Sequence, residues 1–193
     1  MKNKTTRDED PMSSRILLHC CCAPCSSAIL EWMHDHGVQP TIFYCNPNIY
    51  PQEEYLIRKN EITRYAEQLG LEIIEDEYNH EAWLEEIKGL EQEPERGGRC
   101  LQCFKLRMLR SAKKAIELGL PEFTTTLASS RWKSLEQINS AGQWAAEQTG
   151  GRVKFNEKNW RKGGLQQRRN DLLKENGFYN QLYCGCEFSF RNK

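Results

Sequence analysis

The 193-residue sequence lacks any apolar stretch long enough to span a bilayer, and its first ten residues are strongly charged. A membrane-spanning helix needs about 20 mostly apolar residues, and a secretory signal peptide needs an apolar segment behind a short charged start. We therefore expect a soluble cytoplasmic protein with no membrane partner. Persistent disulfides are rare in that reducing compartment, so its cysteines are expected to be metal ligands or working thiols.

The sequence also lacks net charge, with 27 basic and 27 acidic residues, but the two signs are segregated along the chain. Residues 52–95 carry fourteen acidic side chains and four basic ones, whereas residues 96–114 carry seven basic and no acidic ones. Residues 152–174 form a second basic segment. Such runs often mark nothing more than solvated helix faces. They are also consistent with a bound polyanion such as a nucleic acid.

Cysteine, by contrast, is abundant, and eight of the nine cysteines lie in three tight groups far apart in the sequence. The groups are Cys20-Cys21-Cys22-Ala23-Pro24-Cys25, Cys100-x-x-Cys103 and Cys184-Gly185-Cys186. Thiolates this close together can bind one metal centre, and distant groups can share it if the fold brings them together. One zinc ion would use only four of the thiols. An iron–sulfur centre is therefore favoured over a zinc site or a metal-free thiol relay.

Short apolar runs alternate with helical patterns along the chain. Strands are predicted at residues 15–19, 41–45, 71–75, 123–127 and 152–155, and helices at 26–36, 51–69, 81–90, 101–118, 134–148 and 165–176. This alternation predicts a single α/β domain with an open parallel sheet and helices on both faces, similar to a Rossmann fold. The domain is expected at residues 15–193, after a flexible extension at 1–14. Its metal site is expected at the carboxyl ends of the strands, where such sheets bind their ligands.

Six motifs occur in a characteristic order. They are Leu18-His19-Cys20-Cys21-Cys22-Ala23-Pro24-Cys25, Tyr44-Cys45-Asn46-Pro47-Asn48-Ile49, Arg99-Cys100-x-x-Cys103, Thr125-Thr126-Leu127, Arg161-Lys162-Gly163-Gly164 and Tyr183-Cys184-Gly185-Cys186. Together they resemble the QueH family of epoxyqueuosine reductases over residues 16–190. The resemblance implies a cobalamin-independent enzyme that reduces epoxyqueuosine to queuosine at the wobble position of tRNA, the last step of queuosine biosynthesis. It also implies a 4Fe-4S cluster beside a second metal or thiol centre.

The same resemblance implies a division of labour among seven cysteines. The cluster is expected on four of them: Cys21, Cys22, Cys100 and Cys103. Cys184 and Cys186 would form a redox pair or, with Cys25, bind a second, mononuclear iron, and these three are the predicted catalytic residues. Some family members have aspartate in place of Cys25, and aspartate can bind iron but cannot form a disulfide, which favours a ligand role. Cys20 and Cys45 lie outside the pattern and are expected to be small buried hydrophobic residues.

Substrate contacts are predicted from five residues, which are Lys133, Arg161, Lys162, Gly163 and Gly164. The basic side chains would contact tRNA phosphates, and the glycines would allow a nucleotide to approach the backbone closely. Trp132, Trp160 or Tyr179 would either stack on an unpaired anticodon base or pack in the core. Arg131 departs from the family pattern, which leads us to expect proline there.

Removing an epoxide oxygen as water requires two electrons and two protons, so an external electron donor is an expected partner. His19 and Tyr50 are candidate proton donors by position, although His19 is also expected simply to form hydrogen bonds at a strand end. Two other functions fit part of the sequence: a zinc-stabilised RNA-binding module and a cluster-dependent tRNA-thiolating enzyme. The latter enzymes activate a base with ATP and need a Ser-Gly-Gly loop after the first strand. This chain has no such loop there, so no ATP is expected.

Overall fold

In the computed structural model, which describes residues 12–190, a five-stranded parallel sheet forms the centre of one domain. The strands are β1 (Arg15–Cys20), β2 (Gln39–Tyr44), β3 (Ile73–Glu75), β4 (Glu122–Thr125) and β5 (Lys154–Phe155). The helices are α1 (Ala23–Asp35), α2 (Gln52–Gln68), α3 (His80–Glu86), α4 (Gly98–Glu117), α5 (Leu135–Gln148) and α6 (Leu165–Glu175). The predicted fold class, a Rossmann-like parallel sheet flanked by helices, is confirmed.

The strand order β3-β2-β1-β4-β5 places β1 at the centre of the sheet. Residues 16–20 of β1 are fully buried, as expected for a strand covered by helices on both faces. Burial of each apolar side chain there contributes roughly 1.5–3 kcal/mol. After β1, the chain adds β2 and then β3 on one side of it. The next strand, β4, pairs with the opposite edge of β1. The loops after β1 and β4 therefore diverge, which opens a crevice at their carboxyl ends.

Helices cover the sheet in two groups. One group contains α1, which packs against α2 and α6, and the other contains α4, which packs against α5 and contacts β1 and β4. The predicted flexible extension lies mostly outside the described residues. Of its described part, the Ser13 N–H donates a hydrogen bond of 3.0 Å to the Glu122 carboxylate. None of the helices in residues 12–190 is both long and apolar enough to cross a membrane.

Two helices begin earlier than the sequence predicted, and both changes affect cysteines. The predicted start of α1 at residue 26 is wrong, because the helix begins at Ala23 with Cys22 as its N-cap residue. The Ser26 hydroxyl donates to the Cys22 carbonyl at 2.7 Å within the helix, so it does not cap the N-terminus. Helix α4 likewise begins at Gly98. Cys100 and Cys103 therefore lie three residues apart on one face of its first turns.

Gly142 is required where α5 crosses β5. A Cβ atom at this position would overlap the ring of Phe155. We expect Gly142→Ala to destabilise the protein by roughly 1–3 kcal/mol, because overpacking outweighs the gain of about 1 kcal/mol in helix propensity. The midpoint of urea unfolding measures this effect. Ser140→Ala, an exposed change on the same helix, is the control, and a Gly142→Ala protein as stable as wild type would contradict this packing.

Candidate metal centre

Three thiols meet where β1 passes into α1. Cys21 follows the strand, Cys22 is the N-cap residue and Cys25 lies in the first helical turn. Their Sγ atoms all lie within 4.8 Å of one another, and the Sγ atoms of Cys21 and Cys22 are 3.7 Å apart. Thiolates that bind one tetrahedral metal with bonds of about 2.3 Å lie about 3.8 Å apart. This triad therefore has the spacing of ligands to a single ion.

Hydrogen bonds among the triad distribute its charge unevenly. The pKa of Cys21 is lowered well below its usual range, chiefly because the thiols of Cys22 and Cys25 donate to it. Burial raises the pKa of Cys22, and the hydrogen bond to Cys21 raises that of Cys25 to about 11. The Gln181 side chain also donates to the Cys22 sulfur, at 2.8 Å. The triad therefore favours one thiolate, and binding a metal would displace the remaining protons.

The other four candidate thiols form a second group, the tetrad, made of Cys100, Cys103, Cys184 and Cys186. All four line a small cavity between the start of α4 and the C-terminal segment. Burial raises the pKa of Cys100, Cys103 and Cys186, so these groups are neutral thiols without a metal.

Unpaired polar atoms in the tetrad cavity show whether it suits a cofactor. Four atoms of residues that line this cavity are buried without a hydrogen-bond partner: Arg99 Nε, Arg107 Nη2, Trp83 Nε1 and Asn48 Oδ1. Buried donors are rarely left unpaired, and three N–H groups beside four thiols suit the sulfur atoms of an iron–sulfur cluster. The residues present therefore fit such a group.

The segment that carries Cys184 and Cys186 is held against α2 by a buried arginine. Arg58, only 2% exposed, pairs with Glu54 at 2.7 Å and donates to the carbonyls of Tyr183 and Cys184 at 3.3 and 3.2 Å. Between the two cysteines, Gly185 has φ +123°, and a Cβ there would lie 3.1 Å from Arg58 Nη1. Arg58 thus fixes the position of the Cys-Gly-Cys turn.

A larger cavity of about 710 Å³ joins the two thiol groups. Cys21 and Cys25 of the triad and Cys100, Cys184 and Cys186 of the tetrad contribute to its wall. Lys133 lines it too, and although burial lowers the pKa of Lys133, the nearby thiols of Cys184, Cys21 and Cys25 raise it above its ordinary value. Further cations line the cavity: Arg58, Arg96, Arg99, Arg131 and Arg169.

The predicted substrate residues divide into two sets. Lys133 lines the cavity, whereas the other four do not. Arg161 instead donates to the Lys133 carbonyl at 2.8 Å, so it stabilises the loop that carries Lys133. Gly163 and Gly164 adopt left-handed backbone conformations at the start of α6, where a Cβ would meet nothing within 4 Å. Their predicted contact with a nucleotide, like that of Lys162, stays a prediction.

The aromatic candidates are separated by burial. Trp160 is only 3% exposed and packs edge-on against Trp32, so it belongs to the core. The Tyr179 hydroxyl donates to the Glu54 carboxylate at 2.9 Å. Trp132 is 73% exposed and lines the large cavity, which leaves it as the candidate for stacking on a base.

His19 and the two excluded cysteines have structural roles. His19 is fully buried, with its ring nitrogens 2.9 Å from Thr125 Oγ1 and 2.9 Å from the Cys45 carbonyl. Burial lowers its pKa to about 4, which favours the neutral ring, and the two hydrogen bonds are those expected of a histidine at a strand end. Cys20 is also buried, and the Cys45 thiol donates to Asp76 at 3.0 Å. Tyr50 is 45% exposed and stacks on His80.

Sequence reasoning missed four residues at this site, which are Arg58, Trp83, Arg107 and Gln181. Glu54 and Arg58 stand four residues apart, a spacing that is typical of a surface ion pair on a helix. Arg107 lies in a basic run that was interpreted as a solvated face or a polyanion site. The one available signal was that Arg58 and Arg107 share a helix face with apolar residues.

The fold and the site together define a class: a single-domain α/β protein with two thiol-rich centres at the carboxyl ends of a parallel sheet. The sequence model of one family, described as "Epoxyqueuosine reductase QueH", matches residues 16–192. The chain belongs to the QueH family of epoxyqueuosine reductases, as its motifs predicted, and it is an oxidoreductase.

Curated relatives support this assignment over most of their own length. The chain is 47% identical over 179 residues to epoxyqueuosine reductase QueH of Histophilus somni, which covers 93% of this chain and 73% of the relative. Identity to the Haemophilus influenzae protein of the same name is 45%, with the same coverage. The Acinetobacter baylyi protein is 43% identical over 180 residues, covering 93% of this chain and 82% of that relative.

Proposed function

We propose that this protein reduces epoxyqueuosine to queuosine at the wobble position of tRNA, in the cytoplasm, as the last step of queuosine biosynthesis. Family membership supports the reaction. The observation that carries the proposal is the cavity of about 710 Å³ on whose wall both thiol groups meet Lys133. A substrate in this cavity would contact electron-transfer ligands and a cation together.

We infer a different division of the cysteines from the one predicted by sequence. The tetrad, which lines one cavity, would hold a 4Fe-4S cluster, and the triad, with its single-ion spacing, would hold a second, mononuclear iron. When bound, these centres would supply the two electrons and a Lewis acid for the epoxide oxygen. The electrons come ultimately from an external donor, and no ATP is required.

The chain's own residues would bind the substrate and stabilise charge. The reaction converts an epoxide, two electrons and two protons into an alkene and water, so negative charge develops on the departing oxygen. Lys133 places a positive charge on the cavity wall, where it would stabilise that charge. The two protons would come from water, because the cavity is open to solvent and the buried His19 is already hydrogen-bonded.

Trp132 would provide the platform for a base of the anticodon loop. The Arg96 side chain fixes its loop by donating to the carbonyls of Trp132 and Arg131, at 3.0 and 3.1 Å. These two hydrogen bonds hold the loop of the exposed indole at the cavity, beside the cations Arg131 and Arg169. An aromatic platform with adjacent cations is how single-stranded nucleic acid is commonly bound.

Trp132→Ala should weaken binding of an anticodon stem-loop that carries epoxyqueuosine by about 1–3 kcal/mol, the usual worth of one stacked base. Trp132→Phe should retain most of the affinity. Titration at several salt concentrations separates stacking from charge: the wild-type affinity should fall steeply with salt, and Trp132→Ala should leave that slope unchanged. Leu69→Ala, which truncates an exposed side chain outside the cavity wall, is the control. Unchanged affinity in Trp132→Ala would contradict the platform.

The function is tested by metal analysis followed by an activity assay. Anaerobically reconstituted protein should contain about four labile sulfides per chain and more than about four irons, and should convert epoxyqueuosine in tRNA when given a chemical reductant. Iron near four would favour a Cys184–Cys186 redox pair in place of the second iron. Zinc without sulfide would favour the RNA-binding module, and ATP-dependent thiolation of tRNA would favour the thiolating enzyme.

A further inference from the structure

Arg169 is a cation on the wall of the large cavity that is held in place by neutral groups. Its Nη1 donates to Asn170 Oδ1 at 3.0 Å and its Nη2 donates to Asn180 Oδ1 at 3.3 Å. Within residues 12–190, no carboxylate forms an ion pair with it. A guanidinium carries five N–H groups, so three of them are still available to a ligand. The side chain is therefore positioned in advance, while its charge is not neutralised by the protein.

The preceding arginine of α6 shows the contrast. Arg168 donates to both carboxylate oxygens of Glu31, at 2.6 and 2.8 Å, and to Glu175 at 2.9 Å. The protein itself neutralises this charge, and Arg168 does not line the cavity. The charge that α6 leaves available to a ligand is thus on the cavity side of the helix.

The other cations of the cavity wall are engaged differently. Arg58, Arg96 and Arg99 donate to backbone carbonyls, so they hold loops and turns of the protein in place. Lys133 lies beside the thiols of both groups. No hydrogen bond fixes the Arg131 side chain within the described part of the chain. An anion in the cavity would therefore find its prearranged cation on α6.

The two asparagines surround this cation with neutral donors. An arginine can only donate, so both amide oxygens face it, and the amino groups of Asn170 and Asn180 are left for other partners. Both side chains are exposed and line the cavity. One fixed positive charge flanked by N–H donors is suited to the oxygen atoms of a phosphate group.

The position of this site is fixed relative to the thiols, because Asn180 and Gln181 are neighbours in the chain. Asn180 holds Arg169, while Gln181 Nε2 donates to the Cys22 sulfur at 2.8 Å. The cavity of about 710 Å³ has the size that typically holds one drug-sized ligand, which is also the size of one modified nucleoside. A phosphate bound on its wall would therefore belong to the nucleotide inside or to the next one.

We propose that Arg169, held by Asn170 and Asn180, binds the phosphodiester next to the epoxyqueuosine nucleotide and thereby determines which nucleotide of the anticodon loop enters the cavity. The proposal rests on the proposed function to the extent that the ligand is tRNA. The phosphate contact fixes the register of the RNA, and the base is recognised separately inside the cavity.

The test measures how anaerobically reconstituted protein binds an anticodon stem-loop that carries epoxyqueuosine. No reductant is added, so binding is measured without turnover. Stem-loops in which one loop phosphate at a time is replaced by an uncharged methylphosphonate locate the contact. Arg168→Gln is the matched control for Arg169→Gln, because it removes a neighbouring arginine of the same helix whose charge is already neutralised.

Arg169→Gln should weaken binding at least about tenfold, the usual effect of losing a hydrogen bond to a charged group. It should also lower the slope of log affinity against log salt concentration by about 0.7, the value for one phosphate of a single strand. The methylphosphonate next to the modified nucleotide should weaken binding to the wild-type protein but not to Arg169→Gln, because both changes remove the same contact. Arg168→Gln should retain the wild-type slope.

A second pair of variants changes the charge while the arginine stays. Asn180→Asp places a carboxylate where the amide oxygen accepts from Arg169, so it should reproduce the loss of affinity and of salt slope seen in Arg169→Gln. Asn180→Ala leaves the charge available, so its slope should match wild type.

An Arg169→Gln protein with the wild-type salt slope and the wild-type response to every methylphosphonate would overturn the proposal. An equal loss in Arg168→Gln would also overturn it, because the effect would then be general. If Arg169→Gln does not fold, Asn180→Asp decides, and wild-type affinity and slope in that variant would overturn the proposal. A wild-type protein that binds none of the stem-loops would instead contradict tRNA as the substrate, which distinguishes the two failures.

Discussion

Replacing Cys186 with alanine is expected to remove nearly all labile sulfide from the reconstituted protein, whereas Cys22→Ala should leave sulfide at the wild-type level and remove about one iron. The reason is geometric. Cys186 lines one small cavity with Cys100, Cys103 and Cys184, while the Cys22 sulfur lies 3.7 Å from that of Cys21, a distance suited to one shared ion. Activity should be abolished in both variants.

This pair of variants separates the two divisions of the cysteines. If Cys21 and Cys22 held the cluster with Cys100 and Cys103, the result would be inverted: Cys22→Ala would lose sulfide and Cys186→Ala would keep it. Cys20→Ala is the control, because it removes a thiol that is fully buried beside the triad but lies outside both groups. Sulfide, iron and the visible absorption spectrum are measured on the same preparations.

Arg58→Met is expected to destabilise the protein by about 3–5 kcal/mol, because it leaves the Glu54 carboxylate in a buried position without its cation. It also removes the donors to the carbonyls of Tyr183 and Cys184. The Cys-Gly-Cys turn would then lose its attachment to α2, and the iron and sulfide content should fall markedly. Urea unfolding measures the first effect and metal analysis the second.

A double variant tests whether the loss of stability in Arg58→Met comes from breaking the ion pair. Glu54→Gln/Arg58→Met should recover part of the lost stability, since no buried carboxylate remains, but should not restore the metal content. Arg64→Met, which removes an exposed arginine from the same helix, should change stability by less than about 1 kcal/mol. Full metal content in Arg58→Met would show that the turn is held by other contacts.

Much of the fold follows from periodicity. Each predicted strand overlaps an observed one, because parallel strands with both faces covered are continuously apolar, as residues 16–20 are. The order of the strands was not predicted, since periodicity describes each element and says nothing about its neighbours. The first helix was misplaced because Ser26 resembles an N-cap residue, whereas the chain turns into the helix at Cys22. Pro24 in the first turn, a favourable position, was the overlooked signal.

The candidate site could be predicted in its composition, whereas the division of its cysteines between two centres stays a prediction. Sequence spacing shows which cysteines are close along the chain, and the resemblance added which of them belong to the family pattern. Neither shows that Cys184 and Cys186 share a cavity wall with Cys100 and Cys103, because that depends on how the C-terminal segment packs against α2. Buried arginines are equally hidden in a sequence, since Arg58 and Arg107 occur among charges of ordinary surface type.

The order in which the chain is synthesised bears on when the metal centre can be completed. All five strands end by Phe155, whereas Cys184 and Cys186 come almost thirty residues later. Domains fold from the N-terminus as they are made, at about 5–20 residues per second, so the sheet and the triad can form before the tetrad exists. A metal delivered early would find only the triad and the Cys100–Cys103 pair. The tetrad would therefore be completed on a sheet that is already in place.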